Sequence, residues 1–222
     1  FLTYMLANAY QNRLSDSCHL YFDRFLEYKS VKHFKKACLQ RKAWQYLIQG
    51  DQEGYKRTMA RIPGTGISET DSDKQAESEA QNGKLPVVFL LKSRLLFDGG
   101  YYEESLRALS EANHIPTELN PADRAEYHYR LARIYDETGK EEMAIREYIT
   151  TIDEGKGLPQ YFAANSALKT AMIYERRGHL GKARSYYQDC LNMKFSEYRN
   201  SILQKAKVGL DRIDKKEKNL RK

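Results

Sequence analysis

Five histidines, three cysteines and several carboxylate pairs are the residues of this chain with chemistry to offer, and their spacing decides whether any of it is used. A structural or catalytic metal site draws its His and Cys ligands from short, repeated intervals. His19, His33, His114, His128 and His179 are scattered, and the one adjacent pair, Cys18-His19, cannot easily face one ion from a helix. No metal site is expected. Cys18, Cys38 and Cys190 are odd in number and far apart, which excludes a full disulfide framework and predicts buried structural thiols. The pairs Glu103-Glu104 and Glu141-Glu142 fall in helix first turns, where the positive end of the helix dipole favours them; acid–base work is not expected there. Gly64-Thr65-Gly66 lacks the Lys-Ser/Thr end of a phosphate loop and follows no strand. Asp98-Gly99-Gly100 reads as a helix stop, and no Ser, Cys or Lys stands in a recognisable nucleophile motif. These residues predict a chain with no enzyme active site and no cofactor.

Charge and composition narrow the class further. The chain has 222 residues with 41 % apolar and 30 % charged side chains, enough to build a core and stay in water. The net charge of +7 is concentrated at one end. Lys205, Lys207, Arg212, Lys215, Lys216, Lys218, Arg221 and Lys222 face only Asp211, Asp214 and Glu217 there. A second basic cluster, Lys29 to Lys42, is offset by the acidic stretch Glu69 to Glu79. A nucleic-acid binder presents one broad basic face, so nucleic acid is not the expected partner. No run of about 20 apolar residues is present to span a membrane. The sequence gives no compartment. Its helical start at Phe1 predicts a piece of a longer chain.

Three segments repeat: Val88 to Ala112, Glu126 to Ile152 and Asn165 to Leu191, with turn glycines Gly100, Gly139 and Gly178 at intervals of 39. Before each glycine a small residue is followed three positions later by a large one: Ser93 and Leu96, Ala132 and Tyr135, Ala171 and Tyr174. After it come a small residue (Ser105, Ala144, Ala183) and, four later, a large one (Leu109, Tyr148, Tyr187). This is the spacing of two helices that approach closely through small residues and fill the gap with large ones. Ala43, Tyr46, Gly50 and Met59 repeat the pattern more weakly, with Tyr55 where a small residue belongs. Ala7 and Tyr10 begin it again, with Leu14 in place of the glycine.

These residues resemble tetratricopeptide repeats, and the whole resembles uncharacterised bacterial repeat proteins of that kind, for which a fold and no defined activity is implied. The resemblance implies an all-α fold, an α-α superhelix of antiparallel helix pairs: residues 1–28, 31–62, 86–112, 122–153 and 160–192. An insertion at 63–85 carries a polar helix capped by Thr70 or Ser72 and ended by Asn82-Gly83. Helix is expected to resume at Pro86, and a long capping helix at 196–220 closes the array. Its stripe is Tyr198, Ile202, the stem of Lys205, Ala206, Gly209 or Leu210, and Ile213. The family repeat is about 34 residues long; the 39-residue interval here changes the rise of the superhelix.

In this family the ligand lies in the concave groove lined by the first helix of each pair. Carried over, the groove residues are Gln40, Trp44, Leu90, Arg94, Tyr129, Arg133, Asp136, Leu168, Met172, Glu175 and Arg176. Arg, Tyr, Trp and Met are interface-enriched types, and Arg94 with Arg133 is suited to clamp a carboxylate. The expected function is a non-enzymatic scaffold for a peptide or partner protein, with no small-molecule substrate. The alternatives are a structural or assembly module of a larger repeat protein, or an adapter to an anionic surface through the basic C-terminal helix.

Overall fold

The computed structural model describes residues 1–110 and 119–220. Ala112, His114, Arg221 and Lys222, which figure in the sequence reading, lie outside the described residues. Among the described residues the protein is all-α, with twelve helices and no strand. The chain divides into two compact units, Phe1–Glu111 and Ala112–Lys222.

The first unit opens with α1 (Leu2–Asn12) packed on α2 (Cys18–Glu27). The turn between them places Leu14 at φ 57°, the left-handed region a glycine would occupy without steric cost. Leu14 is held there by packing, half-buried against the cluster around Leu39 and Trp44. The second pair is α3 (Lys35–Ile48) and α4 (Gln52–Met59). The close approach expected near position 55 falls one residue earlier. A Cβ added at Gly54 would lie 2.9 Å from the Tyr46 ring, whereas Tyr55 is itself buried.

The inserted polar helix, α5 (Asp71–Asn82), starts at a Thr70 cap whose Oγ1 accepts from the Asp73 amide at 3.1 Å; it ends at Gly83, left-handed at φ 66°. It packs on α3. The third pair is α6 (Val88–Asp98) and α7 (Tyr102–Ser110). Helix resumes two residues after Pro86 because Val87 is extended. The small residues of this pair meet directly, Ser93 Oγ lying 2.9 Å from Ser105 Oγ. In this unit α1, α3 and α6 all touch one another, a difference from the simple file of pairs that the repeat pattern predicts.

The second unit runs α8 (Pro121–Glu137), α9 (Glu141–Gly155), α10 (Phe162–Arg176), α11 (Leu180–Asn192) and α12 (Arg199–Leu220). Asn120 caps α8 by accepting from the Ala122 and Asp123 amides, with Pro121 in the first turn. From α9 on, each helix packs on its predecessor, and α8, α10 and α12 also touch in turn. Ala132 and Ala144, then Ala171 and Ala183, are fully buried where the paired helices meet. Tyr148 and Tyr187 fill the space beside them, and burying a side chain of that size is worth about 2 kcal/mol. Their hydroxyls donate to a carboxylate on the first helix of the same pair: Tyr148 to Asp136 at 3.4 Å, Tyr187 to Glu175 at 2.7 Å.

The last helix begins at Arg199, after Tyr198 takes the left-handed backbone at φ 53°. Ser196, the expected start, instead donates its amide to Pro159 O at 3.0 Å. Ile202, Ala206 and Ile213 face the core. Gly209 lets α12 approach the Tyr187 ring, where an added Cβ would sit 2.3 Å from Cζ. Lys205 is exposed and not part of this stripe; one residue further round the helix, Ala206 takes the inward position.

Candidate binding site

The residues assigned to an inner groove separate into a buried and an exposed set. In the first unit, Gln40 and Trp44 are 3 % and 2 % exposed because α5 lies over them. Glu79 of α5 accepts from Gln40 Nε2 at 2.6 Å, from Trp44 Nε1 at 2.8 Å and from the Tyr55 hydroxyl at 3.1 Å. Burial pushes the Glu79 carboxyl above its usual range, against the pull of these donors. Leu90 is buried, and Arg94 is half-buried with its guanidinium 4.8 Å from the Trp44 ring.

In the second unit, Tyr129 and Leu168 are core residues. The Tyr129 hydroxyl accepts from Asn165 Nδ2 at 2.6 Å. Arg133 is half-buried, its guanidinium 5.7 Å from the Tyr129 ring. Asp136, also half-buried, lies 3.7 Å from Arg176, and Arg176 is bonded to Glu141 at 2.5 Å. Arg177 joins the same knot through Glu141 and Glu142, each at 2.6 Å. The acidic first turn of α9 is thereby tied to the end of α10. Hydrogen bonds from Arg176 and then Arg177 hold the Glu141 carboxyl below its usual range.

Glu175 is 9 % exposed and pins the last helix in place. It accepts from Arg212 Nε at 3.1 Å and Nη2 at 2.8 Å, from Lys216 at 3.0 Å and from the Tyr187 hydroxyl at 2.7 Å. The Arg212 bonds are the chief cause of a pKa lowered to about 2, outweighing the opposing effect of burial. One carboxylate thus anchors two cations.

Beside this pin, α10 and α12 leave a groove of about 330 Å³ lined by Met172, Ser201, Gln204, Lys205, Val208 and Arg212. Met172 and Val208 are 41 % and 47 % exposed. A smaller depression of about 200 Å³ adjoins it, bounded by Met172, Glu175, Arg176, Arg212 and Lys216. Of the residues read from sequence, Met172, Glu175 and Arg176 meet here. The residues that α12 adds were missed. Their signal was a second helical face, Ser201, Lys205, Val208 and Arg212, spaced 4, 3 and 4 residues apart beside the core stripe.

Other chemistry is sparse. The three cysteines are free and buried; burial pushes the Cys18 and Cys190 thiols up to about 12 and raises Cys38 as well. Among the described residues no group of three or more His, Cys, Asp and Glu is placed to hold a metal ion. No helix among them is long and apolar enough to cross a membrane.

Compared with known proteins, the chain is 33 % identical over 88 residues to the Photosystem I assembly protein Ycf3 of Prochlorococcus marinus (strain MIT 9211). The match covers 39 % of this chain and 46 % of that protein, so the chain spans under half the length of the relative it matches. No family model matches the chain, and no solved structure matches it.

Proposed function

We propose that this protein is a non-enzymatic, tetratricopeptide-like scaffold that holds a partner protein or peptide on the inner face of its helix pairs. The second unit is the part read as a short superhelix, with α8, α10 and the capping helix α12 in sequence along that face. The observation that carries the reading is the groove with Met172 and Val208 exposed inside a rim of Lys205, Arg212, Arg176 and Lys216. Glu175 answers only one of the charges that Arg212 and Lys216 bring to it. The rim therefore favours an acidic segment, and the exposed methionine and valine favour an apolar side chain within it. Arg133 and Asp136 extend the same helix faces. The buried residues Tyr129, Leu168 and Glu175 support the surface from beneath. The similarity to an assembly protein favours the same class of function.

The test is a peptide array of acidic sequences, each carrying one large apolar residue, probed with the full chain and with a Met172→Asp, Val208→Asp variant. At least a tenfold loss of binding by the folded variant is expected. Unchanged binding by a variant with wild-type circular dichroism removes the groove as the site, and binding that survives Arg133→Ala removes that residue from it.

A further inference from the structure

The inserted helix α5 is held on the first unit mainly through polar contacts made by its carboxylates. It carries Asp71, Asp73, Glu77 and Glu79 against one lysine; of the cations on α3, Lys36 turns to it, while Lys35 bonds Phe25 O and Leu26 O, Arg41 bonds Gln11 and Asn12, and Lys42 pairs with Asp23. Its buried residues are only Asp73 and Ala76. It adds two alanines four residues apart to the core around Trp44, Ala76 buried and Ala80 half-buried, and makes its other contacts through carboxylates. Asp73 accepts from the Phe34 amide at 2.7 Å and the Ala37 amide at 3.1 Å, at the start of α3 where amides lack helical partners. Glu77 pairs with Lys36 at 2.7 Å. Glu79 takes the donors of Gln40, Trp44 and Tyr55. The helix carries its own caps, Thr70 and Gly83, and is tethered through segments that hold Pro63, Gly64, Gly66 and Pro86.

We propose that the face of α3, with Tyr55 of α4, is an exchangeable docking surface for an acidic helix, occupied in cis by α5 and available in trans to a partner helix of the same chemistry. The Lys36–Glu77 pair favours an acidic occupant. So does hydrogen bonding: without α5 the Trp44 indole, the Gln40 amide and the Tyr55 hydroxyl have lost their acceptor, and an apolar helix supplies none. A partner must therefore bring carboxylates at the positions of Asp73, Glu77 and Glu79. The tether gives α5 an effective concentration on the order of millimolar, which an incoming helix has to exceed through affinity or extra contacts. This inference rests on the first unit alone and goes beyond the groove between α10 and α12.

The experiment uses the full chain and a fluorescein-labelled peptide with the sequence of residues 68–84. Asp73→Asn with Glu79→Gln in the chain weakens the resident helix and leaves the surface intact. That variant should bind the peptide at least tenfold more tightly than wild type. A peptide carrying the same two substitutions should bind neither protein, and Met172→Asp in the chain should leave binding unchanged. Trp44 is the sole tryptophan, so its emission reports directly on exchange at this surface. In wild type, amides of α5 should exchange with deuterium at least tenfold faster than those of α3. The proposal is overturned if α5 and α3 amides exchange at one common rate. It is equally overturned if the folded variant binds no better than wild type, or if Met172→Asp abolishes binding.

Discussion

Leu14, Gly139 and Gly178 hold the same left-handed backbone with different means. At the two glycines an added Cβ meets nothing within 4 Å, so the need for glycine is conformational alone. Gly139→Ala and Gly178→Ala should each cost about 1–2 kcal/mol, seen as a lower urea midpoint at unchanged slope. Gly181, equally open but in the first turn of α11, should gain up to about 1 kcal/mol on substitution by alanine. Glu175 sets a pH dependence. Its carboxyl is lowered from 4.5 to about 2, so its contribution is complete above 4.5 and is lost as pH falls from 4.5 through about 2. That contribution is roughly 3 kcal/mol, and Glu175→Gln should flatten the acid limb of the stability profile by that amount. The candidate residues were legible as types on one helix face, but not in their burial. Trp44 and Gln40 are covered by a helix that docks through carboxylates and offers the core only two alanines, too weak a period to read. The partners of Glu175 lie 12, 37 and 41 residues away, beyond any local pattern.

At the scale of the element, helix was legible wherever small and large residues alternate with helical period, and α5 was legible from its Thr and Gly punctuation. The helix starts were less so: Val87 is extended and delays α6, and the left-handed Tyr198 delays α12. Inside α8 a charge pair defies the apolar expectation. Arg130 is 2 % exposed and bonded to Glu126 at 2.5 Å, with the Tyr129 and Phe162 rings 5.7 and 5.8 Å from its guanidinium. Burial works against the charged form, yet Glu126 raises the guanidinium pKa overall. Glu126→Ala leaves that cation buried without its partner and should destabilise the protein by about 3–5 kcal/mol in chemical denaturation. Where α12 meets α11, Gly209→Ala forces a methyl into the Tyr187 ring. Overpacking of this kind costs about 1–3 kcal/mol, and hydrogen exchange should show the loss first in α12.

At the scale of the whole molecule, the chain divides into two compact units, and the repeat pattern in the sequence runs through both. The intervals of 39 residues were legible because glycine turns and alanine contacts recur at them. The mutual contact of α1, α3 and α6 was not, because it follows from how three helices close on one another in space. The groove reading has a consequence at this scale: acidic peptides bound through Lys205, Arg212 and Lys216 should lose affinity steadily as salt rises across a Debye length of about 10 to 3 Å. Binding measured at 0.1 M and 1 M sodium chloride that differs less than threefold counts against a charged rim.

The knot at Glu141 bears on how such a chain can grow. Arg176 and Arg177 reach it from the end of α10, while the residues one interval earlier, at the end of α8, are Glu137 and Thr138. A duplicated copy of α8 and α9, inserted after α9, would present Glu137 and Thr138 to the acidic turn in front of it, and like charges would meet. Replacing both by arginine in that copy restores the match. In the second unit the α8–α9 pair is therefore keyed to the α10–α11 pair by which end carries the cations.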